Sequence, residues 1–244
     1  MKRFVIVVGC ALLLEACSSA TPEPERDRTE TLPEQTHGGH HHHHGGGMPL
    51  RFDKAEEWTK VFDDPERDAW QRPAEVVTLL AISPGMTVAD LGAGTGYFLP
   101  HLSRAVGPSG KALGLDVEDD MVRFMTERAA KEGFANVEAK KVPFDAPGLA
   151  SSSVDRILIV DTWHHIESRP EYAKKLAAAL RPDGFVAIVD FTMETEKGPP
   201  KNHRVAPEAA MKDLEAGGLS VKLAEETLPD QYVVIGRRTG GPPK

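Results

Sequence analysis

Cysteine is almost absent from this chain. Of 244 residues only Cys10 and Cys17 are cysteines, and both lie at the extreme N-terminus. Everything after residue 17 therefore lacks a disulfide, a thiol nucleophile and a cysteine metal site. Any chemistry there must come from His, Asp, Glu, Tyr or a bound cofactor. Positive charge is also scarce: 29 Lys plus Arg face 37 Asp plus Glu, for a net charge of −8, and the basic residues never form a long stripe. Such a surface does not follow the phosphates of a nucleic acid, so no nucleic-acid partner is expected and a small molecule is. Long apolar runs are missing as well. The run at 4–14 has 11 residues, where a bilayer-crossing helix takes about 20. What remains, 40% hydrophobic and 27% charged residues, suits one soluble globular domain behind an N-terminal extension.

The extension reads as an address. Lys2 and Arg3 precede the apolar run, and Ala16 precedes Cys17, which fits a secretory signal. The stretch "LEAC" resembles a bacterial lipoprotein signal, with Glu15 standing where that signal has a small residue. The resemblance implies cleavage that leaves Cys17 as a lipid-modified N-terminus, a membrane anchor. Ser18 after it implies the outer membrane, on its periplasmic side. The alternative is a chain whose true start is Met48, which would be cytoplasmic. Residues 18–47 offer almost nothing to bury and are expected to form a disordered tether. Within it, His37, His40, His41, His42, His43 and His44 lie in "HGGHHHHHGGG". Neighbouring imidazoles on a flexible chain bind Zn, Ni or Cu modestly. Without fixed geometry or carboxylate partners they define no metal site, and an affinity tag or a repeat without a role reads equally well. The expected organisation is a signal at 1–17, a linker at 18–47 and a domain at 48–244, with leading helices at 48–82 and a core at 83–238.

The domain alternates. "DKAEEWTKVF" reads as a helix with Asp53 as N-cap and Glu56 completing a capping box. Pro73 opens a second helix through "AEVVTLLAI", stopped by "SPG". Next come the strand "MTVADLG", the helix "YFLPHLSRAVG", the strand "KALGLDV", the helix "EDDMVRFMTERAAKEG" ended by Gly133, and a weaker strand, "NVEAKKV". "SVDRILIVD" and "GFVAIVDF" are nearly continuous apolar strands, as expected for strands covered on both faces, with "SRPEYAKKLAAALRPDG" helical between them. A helix at 206–216 leads to a closing strand pair, "LSVKLAEETL" and "QYVVIGRR". This alternation predicts a doubly wound α/β sheet with helices on both faces. Ligands in such sheets bind beyond the carboxyl ends of the strands, near the switch in strand order. "DLGAGTG", "LDV" and "VDTWHH" all fall at such ends and are expected to share one cleft.

The glycine turn runs Asp90-x-Gly92-x-Gly94-x-Gly96. The dinucleotide pattern G-x-G-x-x-G is not met, because Tyr97 stands at its last position. Asp90 beside the turn would repel a pyrophosphate and suits an ammonium group. Asp116, ending the next strand, is placed to accept hydrogen bonds from two ribose hydroxyls. An adenosine with an amino-acid tail satisfies both acids, and S-adenosylmethionine is that molecule. "VADLGAGTGYF" with "LGLDV", followed in order by "GFANVE", "SVDRILIVDTWHHI" and "YAKKLAAALRPDGFVAIVDF", resembles the class I S-adenosylmethionine-dependent methyltransferases over 74–238. The likeness is greatest to the ubiquinone/menaquinone-biosynthesis branch. It implies a Rossmann-like sheet of seven strands with the last antiparallel. It also implies that Asp90, Gly92, Gly94 and Gly96 hold the methionine part, that Asp116 holds the ribose and that Met121 lines the adenine pocket. An acid near the adenine amino group has Asp145, in "KKVPFDAPGL", as its nearest counterpart. Met121 reads equally as plain core at helical spacing with Met125.

On the acceptor side, "VDTWHHI" puts Asp161, Trp163, His164 and His165 past a strand end. Methyl transfer from a sulfonium is an in-line displacement that needs alignment and exclusion of water, and a hydroxyl or acidic-carbon acceptor also needs a base of near-neutral pKa. His164 or His165 is expected to take that proton with Asp161 orienting it; the other reading is a histidine that pins the loop. Phe52, Trp58, Phe62 and Trp70 in the leading segment could stack on an acceptor or simply pack, and Arg67 and Arg72 could meet an acid group or be surface charge. A second function class is an envelope lipoprotein that uses the fold and tether for ligand or metal binding without catalysis; a third, an NAD-dependent oxidoreductase, is disfavoured by Asp90. Palmitate labelling checks the address: wild type is expected to take label that Cys17→Ala loses, and an unlabelled cytosolic protein would establish the Met48 start instead.

Overall fold

The structure is a computed structural model that describes residue 52 and residues 54–238. The signal, the tether, its histidines and Asp53 lie outside the described residues. Seven strands form one sheet, in the order β3-β2-β1-β4-β5-β7-β6. They are β1 (Thr87–Leu91), β2 (Lys111–Asp116), β3 (Val137–Lys141), β4 (Val154–Val160), β5 (Leu180–Phe191), β6 (Leu219–Leu223) and β7 (Gln231–Arg238). The first five pair in parallel. β7 runs antiparallel to both β5 and β6, so the last strand alone is reversed, as expected from the resemblance. Strand order turns around between β1 and β4, whose carboxyl ends lie side by side.

Side chains of the central strands alternate between two cores. Val88, Leu158, Val160, Phe185 and Val189 pack with α3 (Pro73–Leu79) and α4 (Leu99–Val106). Ala89, Ile157, Ile159, Val186 and Ile188 pack with α6 (Arg169–Ala179) and α7 (Pro207–Ala216). This two-residue period explains the near-continuous apolar runs of β4 and β5, since both faces are covered. α5 (Asp119–Glu132) lies over β2 and β3. No helix joins β3 to β4; Val142 and Leu149 of that connection pack directly into the α6–α7 core.

Several boundaries differ from the sequence pattern. α1 (Ala55–Phe62) is preceded by Lys54 at φ 65, with no side-chain cap. Its first amide, on Ala55, instead donates to Asp120 of α5 at 2.6 Å, and Glu56 pairs with Arg123. The leading segment also holds a short extra helix, α2 (Arg67–Gln71), separated from α3 by Arg72 at φ 45. After α6, "LRPDG" is not helical but opens β5, with a register shift against β4. Pro182 has no N–H to donate and would clash with the preceding turn, so the helix stops and Leu180 enters the core. β6 ends at Leu223, and beyond it Thr227 is drawn to Glu75 of α3, its amide donating at 2.7 Å. Among the described residues no helix is long and apolar enough to cross a membrane.

Phe185 anchors the lower half of the sheet: it is wholly buried, and the guanidinium groups of Arg156 and Arg237 lie 4.3 and 4.5 Å from its ring centroid. Phe185→Ala is expected to cost about 3–5 kcal/mol, read as a lower urea midpoint with an unchanged slope.

Candidate functional site

The loop from β1 to α4 is built on its glycines. The amides of Gly92 and Ala93 both donate to the Leu115 carbonyl, at 2.8 and 3.1 Å, folding the chain back over the end of β2. Gly92 adopts φ 73, and a Cβ there would stand 2.4 Å from Thr162, so the turn and the β4 loop touch backbone to side chain. Gly94, at φ 55, is faced by the Phe62 ring of α1, 3.2 Å from where its Cβ would be. Both positions need the freedom that glycine alone has. Thr95, between Gly94 and Gly96, is fully buried, and its hydroxyl has no hydrogen-bond partner in the protein.

Three acids flank this turn. Asp116 accepts the Gly94 amide at 2.8 Å and the Glu118 amide at 3.0 Å. Burial raises its carboxyl above the usual range, while these backbone donors pull it back. Asp90 is 3% exposed. Burial pushes it up to about 7, opposed by the positive charge of Arg67 and reinforced by Asp116. Asp161 follows β4 at φ 50. It too is pushed up to about 7 by burial, opposed first by Arg67. Its carboxylate accepts Gln231 Nε2 at 2.5 Å and lies 3.7 Å from Arg67.

The histidines then part company. A single turn of 3₁₀ helix at Trp163–His165 turns His164 toward the end of β5, where Nδ1 meets the two oxygens of Asp190 at 2.9 and 3.0 Å. The His164 amide approaches the same carboxylate at 3.3 Å. With Nδ1 carrying the proton shared with Asp190, Nε2 is left as the basic nitrogen. His165 stacks beside it, ring centroids 4.2 Å apart, and meets Phe52 edge-on at 5.8 Å. Burial, then the neighbouring His164, pushes His165 down to about 4, so it stays neutral at physiological pH.

The expected residues are thus only partly gathered. Asp90, Gly92, Gly94, Gly96, Asp116, Asp161 and His164 converge at the carboxyl ends. The carboxylate that meets His164 is that of Asp190, while the β4 loop turns Asp161 toward Gln231 and Arg67. Met121 is wholly buried in α5. Asp145 is not brought to the cleft: its side chain is 82% exposed and pairs with Lys175 of α6 at 3.3 Å. Asp190 escaped sequence reasoning although "IVDF" is a strand-end acid like "VADL" and "LGLD". Gln71 and Gln231 gave no signal, since an amide becomes informative only when both ends of its hydrogen bonds are known. No group of three or more His, Cys, Asp or Glu among the described residues is placed to hold a metal ion.

Comparison with known proteins gives the family. Residues 82–232 match the family model described as a methyltransferase domain. The span is more than half of the chain, and the chain belongs to that family. A SAM-dependent methyltransferase from Aquifex aeolicus is 29% identical, with a TM-score of 0.71, over 78% of this chain and 100% of that one. Nocamycin O-methyltransferase of Saccharothrix syringae is 28% identical over 160 residues, 66% of this chain and 54% of its own length. A ubiquinone/menaquinone biosynthesis C-methyltransferase of Pseudomonas putida (strain GB-1) is 26% identical over 134 residues, 52% of this chain and 50% of its own. The chain therefore spans about half the length of the curated relatives it matches.

The buried acids carry a thermodynamic signature. An Asp whose carboxyl is near 7 when folded and near 4 when unfolded binds more protons in the folded state between those values, so its contribution to stability falls as pH rises through that window. Asp90→Asn removes the burden. The variant is expected to melt higher than wild type at pH 8, with the difference shrinking as pH falls and vanishing below about pH 4. Equal melting at pH 8 would mean that Asp90 is not held ionised against its surroundings.

Proposed function

We propose that the protein transfers the methyl group of S-adenosylmethionine to a hydroxyl or an acidic carbon of a small-molecule acceptor, with His164 as general base. The observation that carries this reading is the His164–Asp190 pair, 2.9 Å apart at the end of β5, beside a glycine turn flanked by Asp90 and Asp116. The turn fits that cofactor on chemical grounds. Asp90 sits in a buried pocket and prefers a cationic partner, as an α-ammonium is. Asp116 offers acceptor oxygens for a ribose diol, and the buried Thr95 hydroxyl lies in the turn with hydrogen-bonding capacity to spare. When bound, S-adenosylmethionine supplies a methyl group activated by its sulfonium.

The chain's own contribution is placement and proton transfer. Asp190 fixes the His164 ring and its tautomer, so that Nε2 is free to accept the acceptor's proton as the methyl bond forms. The imidazolium that results lies against the Asp190 carboxylate, which stabilises it. His165, neutral and wedged against Phe52, packs beside this ring rather than competing for the proton. Trp70 and Phe191, 5.9 Å apart, and the Phe52–Trp58–Phe62 cluster offer apolar surface on which an acceptor can pack.

We also place the protein in the cell envelope, on the lipoprotein-like signal ending at Cys17; an enzyme there must draw its cofactor from a cytosolic supply. The His-rich tether is proposed to bind transition metals weakly, without a part in the reaction.

His164→Asn is expected to slow methyl transfer from labelled cofactor into small-molecule extracts by about 10²–10⁴-fold, with calorimetric affinity for S-adenosylmethionine little changed. Asp190→Asn should fall between that variant and wild type. Full activity in His164→Asn would sink the base assignment while leaving the cofactor reading intact.

A further inference from the structure

The leading segment is held over the glycine turn mostly by charge. Its two helices bury only Ala55 and Gln71. Trp70 packs near Phe191 and Phe62 over Gly94, and the polar attachments include the Glu56–Arg123 pair at 2.6 Å, the Asp63–Arg128 pair at 2.9 Å, the Ala55 amide on Asp120 and the Tyr97–Asp68 hydrogen bond. Glu56 and Arg123 are 61% and 41% exposed, and exposed pairs of this kind hold weakly. Little apolar burial and many solvent-facing polar bonds describe a part that opens easily.

One side chain of this segment goes deep. Arg67 is 11% exposed and lies over the Tyr97 ring at 4.1 Å, with Nη2 3.7 Å from Asp161. Its charge is also the one that opposes the upward shift of Asp90. A chain of hydrogen bonds fixes it. Nη1 donates to the Phe62 carbonyl at 2.7 Å, and Nε and Nη2 donate to Gln71 Oε1 at 3.2 and 3.0 Å. Gln71 Nε2 then donates to Gln231 Oε1 at 2.6 Å, and Gln231 Nε2 to Asp161. Because a guanidinium only donates and a carboxylate only accepts, the direction of both amides is set, and Arg67 is pinned to the acids from two sides. Asp116 bears on Asp90 from β2, and Asp190 and His164 bear on Asp161 from the β5 end, so Arg67 is a permanent cation between Asp90 and Asp161.

We propose that Arg67 is an internal stand-in for the cofactor's positive charge, and that α1 and α2 form a cap which the cofactor must displace in order to bind. This rests on the S-adenosylmethionine reading above. Asp90 and Asp161 hold Arg67 while no ligand is present, and Phe62 closes the face of Gly94. An incoming ammonium and sulfonium supply the cation that those acids need, and the cap is released with Arg67. The acceptor side, walled by Phe52, Trp58 and Phe62, is thereby opened only after the cofactor has entered.

The test uses the full chain. Calorimetry with S-adenosylmethionine and S-adenosylhomocysteine at pH 8.5 is run on wild type, Arg67→Met and Arg67→Lys. A cap whose open state holds about a tenth of the population lowers apparent affinity about tenfold. Arg67→Met is therefore expected to bind both ligands about tenfold more tightly than wild type, with Arg67→Lys close to wild type. Trypsin cleavage within 54–72 is expected to speed up when wild type is saturated with S-adenosylmethionine. Weaker binding of both ligands by Arg67→Met would make Arg67 an anchor for the cofactor carboxylate and overturn the proposal. So would protection of 54–72 by the cofactor, which would mean that the cap closes on it. Wild type and Arg67→Met that both bind neither ligand would overturn the cofactor reading itself, and this inference with it.

Discussion

The desolvation of aspartates is the constraint to which the rest of this molecule answers. Asp90, Asp116 and Asp190 are at most 7% exposed, and the side chain of Asp161 is 20% exposed. All four stand where parallel strands release their carboxyl ends. A carboxylate taken out of water is costly unless it is bonded or paired. Each acid is served differently: Asp116 by two backbone amides, Asp190 by His164, Asp161 by Gln231 and Arg67, and Asp90 chiefly by the charge of Arg67. The least served acid is the one nearest the glycine turn. That imbalance makes Asp90 the acid with most to gain from a neighbouring cation.

The same constraint explains the leading segment. By apolar burial α1 and α2 scarcely belong to the domain, yet Arg67 and the Gln71–Gln231 pair tie them to the ends of β4 and β7. Asp63 adds a second tie through Arg128, which also reaches the Thr95 carbonyl at 3.3 Å and so touches the turn itself. The segment is fastened both to the site it covers and, through Glu56, Ala55 and Arg72, to α5 and Thr227. Its attachment is thereby sensitive to whatever charge the site contains.

Much of the architecture was legible in the residues, for particular reasons. The runs "RILIV" and "FVAIV" could be placed in the sheet because continuous apolar strands have few other homes. "DLGAGTG" could be placed at a strand end because its glycines need conformations closed to other residues. The errors fall where tertiary contacts overrule local preference. The first amide of α1 finds its acceptor in Asp120, which reaches across from α5, and β5 begins early because Pro182 cannot continue α6. The exchange of Asp161 for Asp190 has the same origin. From the string "VDTWHH" the nearest acid is Asp161, with two residues between it and His164. Only the parallel pairing of β4 with β5, with Val160 opposite Val189, brings an acid from 26 residues downstream of His164 closer than the local one.

Strand alternation then sorts these acids by role. In β1 and β2, Asp90 and Asp116 share the parity of Val88 and Ala112, which face the α3–α4 core. In β5, Asp190 shares the parity of Val186 and Ile188, which face the α6–α7 core. Side chains two apart in a strand lie on one face, so the turn's acids and the histidine's acid emerge on opposite sides of the sheet, with the β1–β4 switch between them. Asp161 would follow Ile157 and Ile159 to the α6–α7 side. Its positive φ breaks the alternation and returns its carboxylate to Gln231 and Arg67. One backbone angle therefore decides to which face of the sheet the Asp161 carboxylate turns.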